Sequence, residues 1–132
     1  MRVYLDTNVV VSAVATRGLC ADVLQAILSE HQLLIGEAMF GELRRVLSQK
    51  VGLPAETVDE IAAFLRRQAT VVSGARLSIK GVDPADAAIV AEAAAGGAEL
   101  LVTGDQGLLK AVDLPVKTVS PRELWEQLRR GT

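Results

Sequence analysis

The 132-residue chain has very few of the residues that form disulfides, metal–thiolate sites and aromatic cores. It contains one Cys, one His, one Trp, one Tyr and two Phe. A single Cys excludes an intrachain disulfide, and the isolated Cys20 and His31 do not give the ligand spacing of a zinc site. With so few aromatic side chains, the core has to be built from the aliphatic residues that make up most of the 50% hydrophobic content.

The chain also lacks an excess of charge of one sign. Its formal net charge of −2 provides no overall attraction to nucleic acid, so any binding of RNA would depend on local basic patches and metal ions. The apolar N-terminal run is interrupted by Asp6 and Asn8, which argues against a signal peptide, and no apolar stretch reaches transmembrane length. A cytoplasmic location is therefore expected.

Short aliphatic runs alternate with helical patterns along the whole chain. This alternation predicts one domain, residues 1–132, with an α/β fold and a mainly parallel sheet of about five strands. The expected strands are 2–6, 32–35, 70–73, 99–103 and 116–119. The expected helices are 8–15, 20–29, 37–49, 55–67, one that starts within 83–86 and runs to 95, a turn at 107–111, and 121–130, with a loop over 74–82.

Acidic residues stand at the ends of two predicted strands. Asp6 ends the first strand, and Asp105 follows the fourth. Asp86 lies in the first turn of the helix that leads into the fourth strand. Since ligands of open parallel sheets bind beyond the carboxyl ends of the strands, we expect these three carboxylates to meet at one edge of the sheet.

Glu42 joins this group through its place on a helix. The apolar face of the helix over 37–49 contains Met39, Phe40, Leu43, Val46 and Leu47. At about 100° per residue, Glu42 falls about 40° from Val46, on the border of that face. This position allows its carboxylate to reach over the rim of the sheet.

Four gathered carboxylates predict a cation. Two carboxylates about 5 Å apart repel each other by roughly 3 kcal/mol at an effective dielectric constant near 20. All-oxygen ligands favour Mg²⁺ or Mn²⁺ over zinc, and hard divalent ions held by several carboxylates are suited to phosphodiester hydrolysis. We therefore interpret Asp6, Glu42 and Asp86, with Asp105, as catalytic and metal-binding residues.

Each acid also has an ordinary structural explanation. Asp83 is placed to cap the helix whose first position is Pro84, and Asp86 lies where an acid favours the helix dipole. Asp105 can cap a turn, and Glu42 alone would be a surface residue. Asp6 gains little local stabilisation from its place. The four together favour a functional site because all of them can meet at one end of the sheet.

The same residues resemble the PIN-domain family. The ordered set of motifs spans the chain, and it is more specific than any one of its members. It consists of Leu5-Asp6-Thr7-Asn8 with Ser12, Glu42-Leu43 in a Glu-Leu-x-x-Val-Leu helix, Asp83-Pro84-Ala85-Asp86 with Ile89, Ala91 and Ala93, Leu101-Val102-Thr103-Gly104-Asp105 with Leu108-Leu109, and Val119-Ser120-Pro121-Arg122-Glu123.

The resemblance implies a three-layer α/β/α sandwich and a Mg²⁺- or Mn²⁺-dependent endoribonuclease. It also implies the toxin half of a toxin–antitoxin pair, similar to VapC-type toxins, with RNA as substrate, a cognate antitoxin and a homodimer or higher oligomer as partners. The four acids take the family's metal-site roles, and Asn8 and Thr103 are supporting polar groups. Asp83, three residues before Asp86, is an alternative or additional third acid.

Basic and aromatic residues are candidates for contacts with partners. A solvated surface is the default explanation for the possible RNA contacts, which are Arg17, Arg44, Arg45, Lys50, Arg76 and Lys80. Arg66-Arg67 and Arg129-Arg130 fit solubilising helix faces or antitoxin contacts. Trp125 and Phe64 are candidates for an interface, although core packing is the expected use of both.

Other functional classes fit less well. A receiver-like domain would carry an Asp after the third strand, where this chain has Ser73-Gly74, and a haloacid-dehalogenase-type phosphatase would carry Asp-x-Asp in place of Asp6-Thr7-Asn8. A catalytically weak or inactive binding module of the same fold is the remaining alternative. The intact set of four acids argues against it.

Overall fold

A sheet of five strands forms the centre of the molecule. The computed structural model describes residues 1–74 and 78–131. Its strands are β1 (Arg2–Leu5), β2 (Gln32–Gly36), β3 (Thr70–Val72), β4 (Leu100–Val102) and β5 (Lys117–Val119). Its helices are α1 (Thr7–Ala15), α2 (Leu19–Glu30), α3 (Met39–Arg45), α4 (Ala55–Gln68), α5 (Pro84–Ala95), α6 (Gln106–Lys110) and α7 (Pro121–Arg129).

The strand order is β3-β2-β1-β4-β5, and all four neighbouring pairs are parallel. The central β1 pairs with β2 through Val3 and Leu33, and with β4 through Val3 and Leu100. The chain places β2 and β3 on one side of β1, and later β4 and β5 on the other side. The strand order therefore reverses beside β1, which is where parallel α/β sheets form a crevice at their carboxyl edge.

Helices cover both faces of the sheet. One core cluster joins alternate strand residues such as Val3 and Leu5 to buried side chains of α1 to α4 and α7. The second cluster joins Tyr4, Leu34 and Leu101 to Val90 of α5 and to a buried leucine of α6. The α/β class, the parallel sheet and the three-layer α/β/α arrangement are thereby confirmed.

The helix predicted over 37–49 differs from the prediction in its second half. The α-helical part is α3, and a π-helical turn, Val46–Lys50, follows it directly. In this turn the Val51 N–H donates to the Val46 carbonyl at 3.0 Å. The apolar spacing of the segment satisfies both helix types, so the sequence pattern did not separate them.

Local capping signals are confirmed at two helices. Ser120 accepts a hydrogen bond from the Glu123 N–H, and the Glu123 carboxylate accepts one from the Ser120 N–H, both at 3.1 Å. Asp83 caps α5 through a bond of 2.9 Å from the Ala85 N–H, with Pro84 at the first helical position. These bonds satisfy N–H groups that have no partner within the helix.

The aromatic candidates differ in their burial. Trp125 is partly buried and packs against the first core cluster, as expected. Phe64 is 40% exposed, so the expectation that it packs in the core is wrong. Its position on α4 lies outside the apolar stripe formed by Val58, Ala62 and Leu65.

Among the described residues, no single helix is long and apolar enough to cross a membrane. The bent pair α1 and α2, at 99° to each other, reaches the required length and composition only when the two are taken together.

Candidate active site

A cleft of about 450 Å³ opens at the carboxyl edge of the sheet, where β1 and β4 end. All four predicted acids line it, together with the predicted supporting residue Asn8. The full lining is Asp6, Thr7, Asn8, Glu42, Ala85, Asp86, Ile89, Gly104 and Asp105. Residues from four separate parts of the chain therefore share one solvent-accessible space, as the strand-end argument predicts.

Asp6 is held firmly at the end of β1. Its backbone N–H donates to the Val102 carbonyl at 3.0 Å, which continues the pairing of β1 with β4. One carboxylate oxygen accepts from the Thr7 N–H at 2.7 Å, and the other accepts from the Thr103 hydroxyl at 2.8 Å. Both oxygens thus have a fixed orientation at the start of α1.

Thr103 connects two of the acids. Its side chain is completely buried. While its hydroxyl donates to Asp6, the same oxygen accepts from the Asp105 N–H at 3.0 Å. The predicted supporting role of Thr103 therefore corresponds to a physical link between the ends of β1 and β4.

Asp105 has a structural use as well as a place in the cleft. One of its carboxylate oxygens accepts from the Leu108 N–H at 3.1 Å and so caps α6. A Cβ at Gly107 would lie 3.0 Å from that oxygen, so the glycine leaves room for the cap. The second oxygen accepts no hydrogen bond from the described residues, and it remains available to a ligand.

Glu42 reaches the cleft from the opposite helical layer. It lies in the first turn of α3 and is exposed. The hydroxyl of Thr7 donates to one of its carboxylate oxygens at a long 3.5 Å. Thr7 thus contacts two acids, Asp6 through its N–H and Glu42 through its side chain, a bridging role that the sequence reasoning missed. A Thr after a strand has no distinctive spacing, although its place in Asp6-Thr7-Asn8 was a hint.

The structure places Asp86 and Asp83 differently. Asp86 is partly buried and lines the cleft, and its carboxylate accepts no hydrogen bond from the residues that the structure describes. Asp83 is exposed, caps α5 and is not among the residues that line the cleft. The geometry favours Asp86 as the third acid and leaves Asp83 a capping function.

The acids influence one another electrostatically. Burial raises the pKa of Asp6, hydrogen bonds from Thr103 and Thr7 lower it, and the charges of Glu42 and Asp105 raise it again, with a net increase. The pKa of Asp86 is also raised, first by burial and then by the charges of Asp105, Asp83 and Asp6. Burial and the neighbouring carboxylates therefore make ionisation of Asp6 and Asp86 more costly, and a bound cation would offset this cost.

The donor set of the cleft fits a hard divalent ion. Its carboxylates and the Asn8 amide offer oxygen atoms, which Mg²⁺ and Mn²⁺ prefer. In residues 1–74 and 78–131, no three acidic, His or Cys side chains lie close enough together to hold one ion among them. Mg²⁺ usually keeps several waters and binds through one or two carboxylates, so this spacing is compatible with it. The ligand set itself stays a prediction.

The five candidate RNA contacts that the structure describes are not among the residues that line the cleft. Arg17, Arg45, Lys50 and Lys80 are exposed. Arg44 forms an ion pair with Asp59. Arg76 lies outside the described residues, and the RNA-contact role of all six stays a prediction.

Arg66 has a specific local role instead of only solubilising α4. It forms two hydrogen bonds with the Glu37 carboxylate, at 2.9 and 3.1 Å. Its guanidinium also lies 4.0 Å from the centre of the Phe40 ring. This arrangement joins α4 to the start of α3, the helix that carries Glu42.

Comparison with known proteins identifies the family. The family model of the PIN domain matches residues 2–107 of the chain. The chain belongs to the PIN-domain family. The resemblance inferred from the motifs is thus confirmed, and PIN-domain proteins are typically nucleases. No curated protein matches the sequence significantly.

Two solved structures share the PIN-domain fold with this protein. A chain of VapBC2 from Rickettsia felis, crystallised with a DNA fragment from the promoter, is 16% identical, with a TM-score of 0.66 over 91% of this chain and 98% of that chain. A PilT N-terminus domain protein from the archaeon Sulfolobus solfataricus is 15% identical, with a TM-score of 0.57 over 96% and 92% of the two chains. At these identities the similarity concerns the fold alone.

Proposed function

We propose that this PIN-domain protein is a Mg²⁺- or Mn²⁺-dependent endoribonuclease and the toxin of a toxin–antitoxin pair. The observation that carries the proposal is the convergence of four carboxylates on one cleft at the reversal point of a parallel sheet. The raised pKa values of Asp6 and Asp86 agree with it, because burial, the main cause, and the charges of neighbouring acids both make these carboxylates costly to ionise without a cation. A gathering of acids without a cation costs stability, so its presence favours a metal-binding function.

An ion in the cleft would be held by one or two of the carboxylates of Asp6, Glu42, Asp86 and Asp105, with water molecules as its remaining ligands. When bound, a hard divalent ion supplies Lewis acidity, which polarises a phosphate oxygen and offsets its negative charge. Asp86 and Asp105 line the cleft, and both carboxylate oxygens of Asp86 and the second oxygen of Asp105 accept no hydrogen bond from the described residues. They are the groups best placed to approach an incoming ligand.

The surrounding residues orient these acids. Thr103 and the Thr7 N–H fix the two oxygens of Asp6, so this carboxylate loses little conformational freedom when a ligand binds. Asn8 is exposed in the first turn of α1 and lines the cleft, where its neutral amide can donate a hydrogen bond to a phosphate oxygen. The protein therefore holds the Asp6 carboxylate in a fixed orientation and places the neutral Asn8 amide in the same cleft.

The partners and the location belong to the same proposal. An antitoxin partner is supported by the fold that this chain shares with the VapBC2 chain. A homodimer or higher oligomer is proposed from the resemblance to the PIN-domain family alone. A cytoplasmic location follows from the proposed RNA substrate. Light scattering on the purified protein, alone and with its candidate antitoxin, measures both assemblies.

An RNA cleavage assay tests the activity. We expect the purified protein to cut RNA, structured or unstructured, with Mg²⁺ or Mn²⁺ present, and to stop when EDTA is added. The variant Asp6→Asn should lose cleavage by about two orders of magnitude or more, in keeping with the loss of a group that stabilises the transition state. The control Asp113→Asn, at an exposed site with φ of 58° that Asn tolerates, should cleave like the unmodified protein.

Two results would contradict this function. Cleavage that persists in EDTA or in Asp6→Asn removes the metal-site assignment. No cleavage of any RNA by a folded, metal-loaded protein indicates instead a catalytically inactive binding module of the same fold.

A further inference from the structure

A buried carboxylate on α5, outside the lining of the active-site cleft, has no part in the chemistry proposed above. Glu92 on α5 is only 9% exposed, and its carboxylate accepts a hydrogen bond of 2.5 Å from the hydroxyl of Tyr4 on β1. Tyr4 is 2% exposed. Because burying a charged group is costly unless it is paired, an apolar side chain would fill this place at lower cost.

Two glycines leave the space that the Glu92 carboxylate occupies. A Cβ at Gly36, the last residue of β2, would lie 1.4 Å from one Glu92 oxygen and 2.7 Å from the Tyr4 hydroxyl oxygen. A Cβ at Gly74 would lie 3.2 Å from the Glu92 Cβ. The end of the sheet is thus shaped around the Tyr4–Glu92 pair.

The pair joins the two elements that carry opposing acids of the cleft. Tyr4 precedes Asp6 by two residues, which is about 7 Å along a strand and puts both side chains on the same face. Glu92 follows Asp86 by six residues, which is about 9 Å along a helix. A second tie between the same regions, from the Arg2 guanidinium to the Gly96 carbonyl at 2.6 Å, lies at the far end of α5. Of these two hydrogen bonds, the Tyr4–Glu92 bond therefore lies nearer to the acids.

We propose that Tyr4 and Glu92 are a positioning pair, which fixes α5 against β1 so that Asp86 stands across the cleft from Asp6. The expected effect on metal binding rests on the proposed function, whereas the expected effect on the position of α5 does not. Loss of the bond frees the N-terminal part of α5 to shift over the sheet. A shift of this kind separates Asp86 from Asp6 without removing either carboxylate.

The test compares Tyr4→Phe with a matched core variant. Val58→Ala removes buried atoms from α4, on the other face of the sheet, and lowers stability without touching α5. Glu92→Gln keeps an acceptor oxygen for the Tyr4 hydroxyl and serves as the conservative control variant. The measurements are amide hydrogen exchange of metal-free protein in the first turns of α5 and the Kd for Mn²⁺ by titration calorimetry.

We expect Tyr4→Phe to speed exchange at the α5 amides, such as that of Ala87, and to weaken Mn²⁺ binding by about tenfold or more, as loss of an outer hydrogen bond commonly does at metal sites. Val58→Ala should change neither measurement, and Glu92→Gln should stay close to the unmodified protein. If exchange in α5 does not respond to Tyr4→Phe, or responds equally to Val58→Ala, the positioning role is overturned. If the unmodified protein binds no Mn²⁺, the proposed function fails, while the exchange result still decides the role of the pair.

Discussion

At the scale of single residues, Asp6 is the acid with the most closely defined surroundings. It is partly buried, both of its oxygens accept hydrogen bonds, and two other acids act on its charge. These contacts give opposite contributions to its pKa, and burial and repulsion outweigh the hydrogen bonds. The folded protein therefore holds the Asp6 proton more tightly than the unfolded chain does.

This shift predicts how stability depends on pH in the metal-free protein. Where the folded state binds more protons than the unfolded state, the free energy of unfolding falls as pH rises, here through the window between the ordinary carboxyl pKa and the raised pKa of Asp6. In Asp6→Asn the ionisable group is gone. The stability of this variant relative to the unmodified protein should therefore be greater near neutral pH than in mild acid.

Urea unfolding in EDTA at the two pH values measures this difference. Because any change that does not depend on pH cancels between the two conditions, the comparison isolates ionisation of Asp6. A stability difference between variant and unmodified protein that is the same at both pH values would show that the Asp6 charge is not costly in the folded state.

Sequence reasoning at this scale predicted that the acids meet at one edge and named Thr103 as a supporting group, but it missed the contacts of Thr7 and Tyr4. Asp6 and Asp105 were predictable because they follow strands that the aliphatic pattern reveals. The contact of Thr7 with Glu42 and the buried Tyr4–Glu92 bond were not, because both join residues far apart in the chain. Local sequence patterns do not show which distant residues form hydrogen bonds with each other.

At the scale of elements, the N-terminus of α5 distinguishes two neighbouring acids. Asp83 accepts the capping hydrogen bond and is exposed, whereas Asp86 lines the cleft without a hydrogen-bonding partner among the described residues. Capping is a short-range effect that the motif Asp83-Pro84 already indicated. The side that each carboxylate faces depends on how α5 packs on the sheet.

This difference predicts the effect of Mn²⁺ on two variants. Binding of the ion to the folded state should raise the melting temperature of the unmodified protein. In Asp86→Asn this rise should be much smaller. In Asp83→Asn it should persist, since Asn caps helices about as well as Asp and leaves the cleft unchanged.

Thermal unfolding with and without Mn²⁺ compares the two variants directly. Equal Mn²⁺-dependent gains in Asp86→Asn and the unmodified protein, together with a reduced gain in Asp83→Asn, would move the role of third acid to Asp83.

Most elements were predictable because their ends carry local signals. The capping box at Ser120 and the spacing of apolar residues place α7 and the other helices, except the end of α3, within one or two residues. The π-helical turn after α3 was not predictable, because the apolar pattern over 39–47 does not distinguish an i→i+4 from an i→i+5 hydrogen bond. The exposure of Phe64 likewise depends on how α4 rotates on its neighbours.

At the scale of the whole molecule, the site exists because distant segments meet at one edge of the sheet. The alternation of strands and helices predicts a parallel sheet, but the order β3-β2-β1-β4-β5 depends on packing between layers. That order brings the ends of β1 and β4 together, and with them Asp6 and Asp105. Helices from both layers then add Glu42 and Asp86. We therefore expect the cleft that these four acids line to bind a divalent metal ion.

Calorimetric titration of Mn²⁺ into the metal-free protein tests this claim most directly. We expect saturable binding that is lost or greatly weakened in Asp6→Asn and is unchanged in Asp113→Asn. Absence of Mn²⁺ binding to the folded protein, or binding that is equally strong in Asp6→Asn, would contradict it.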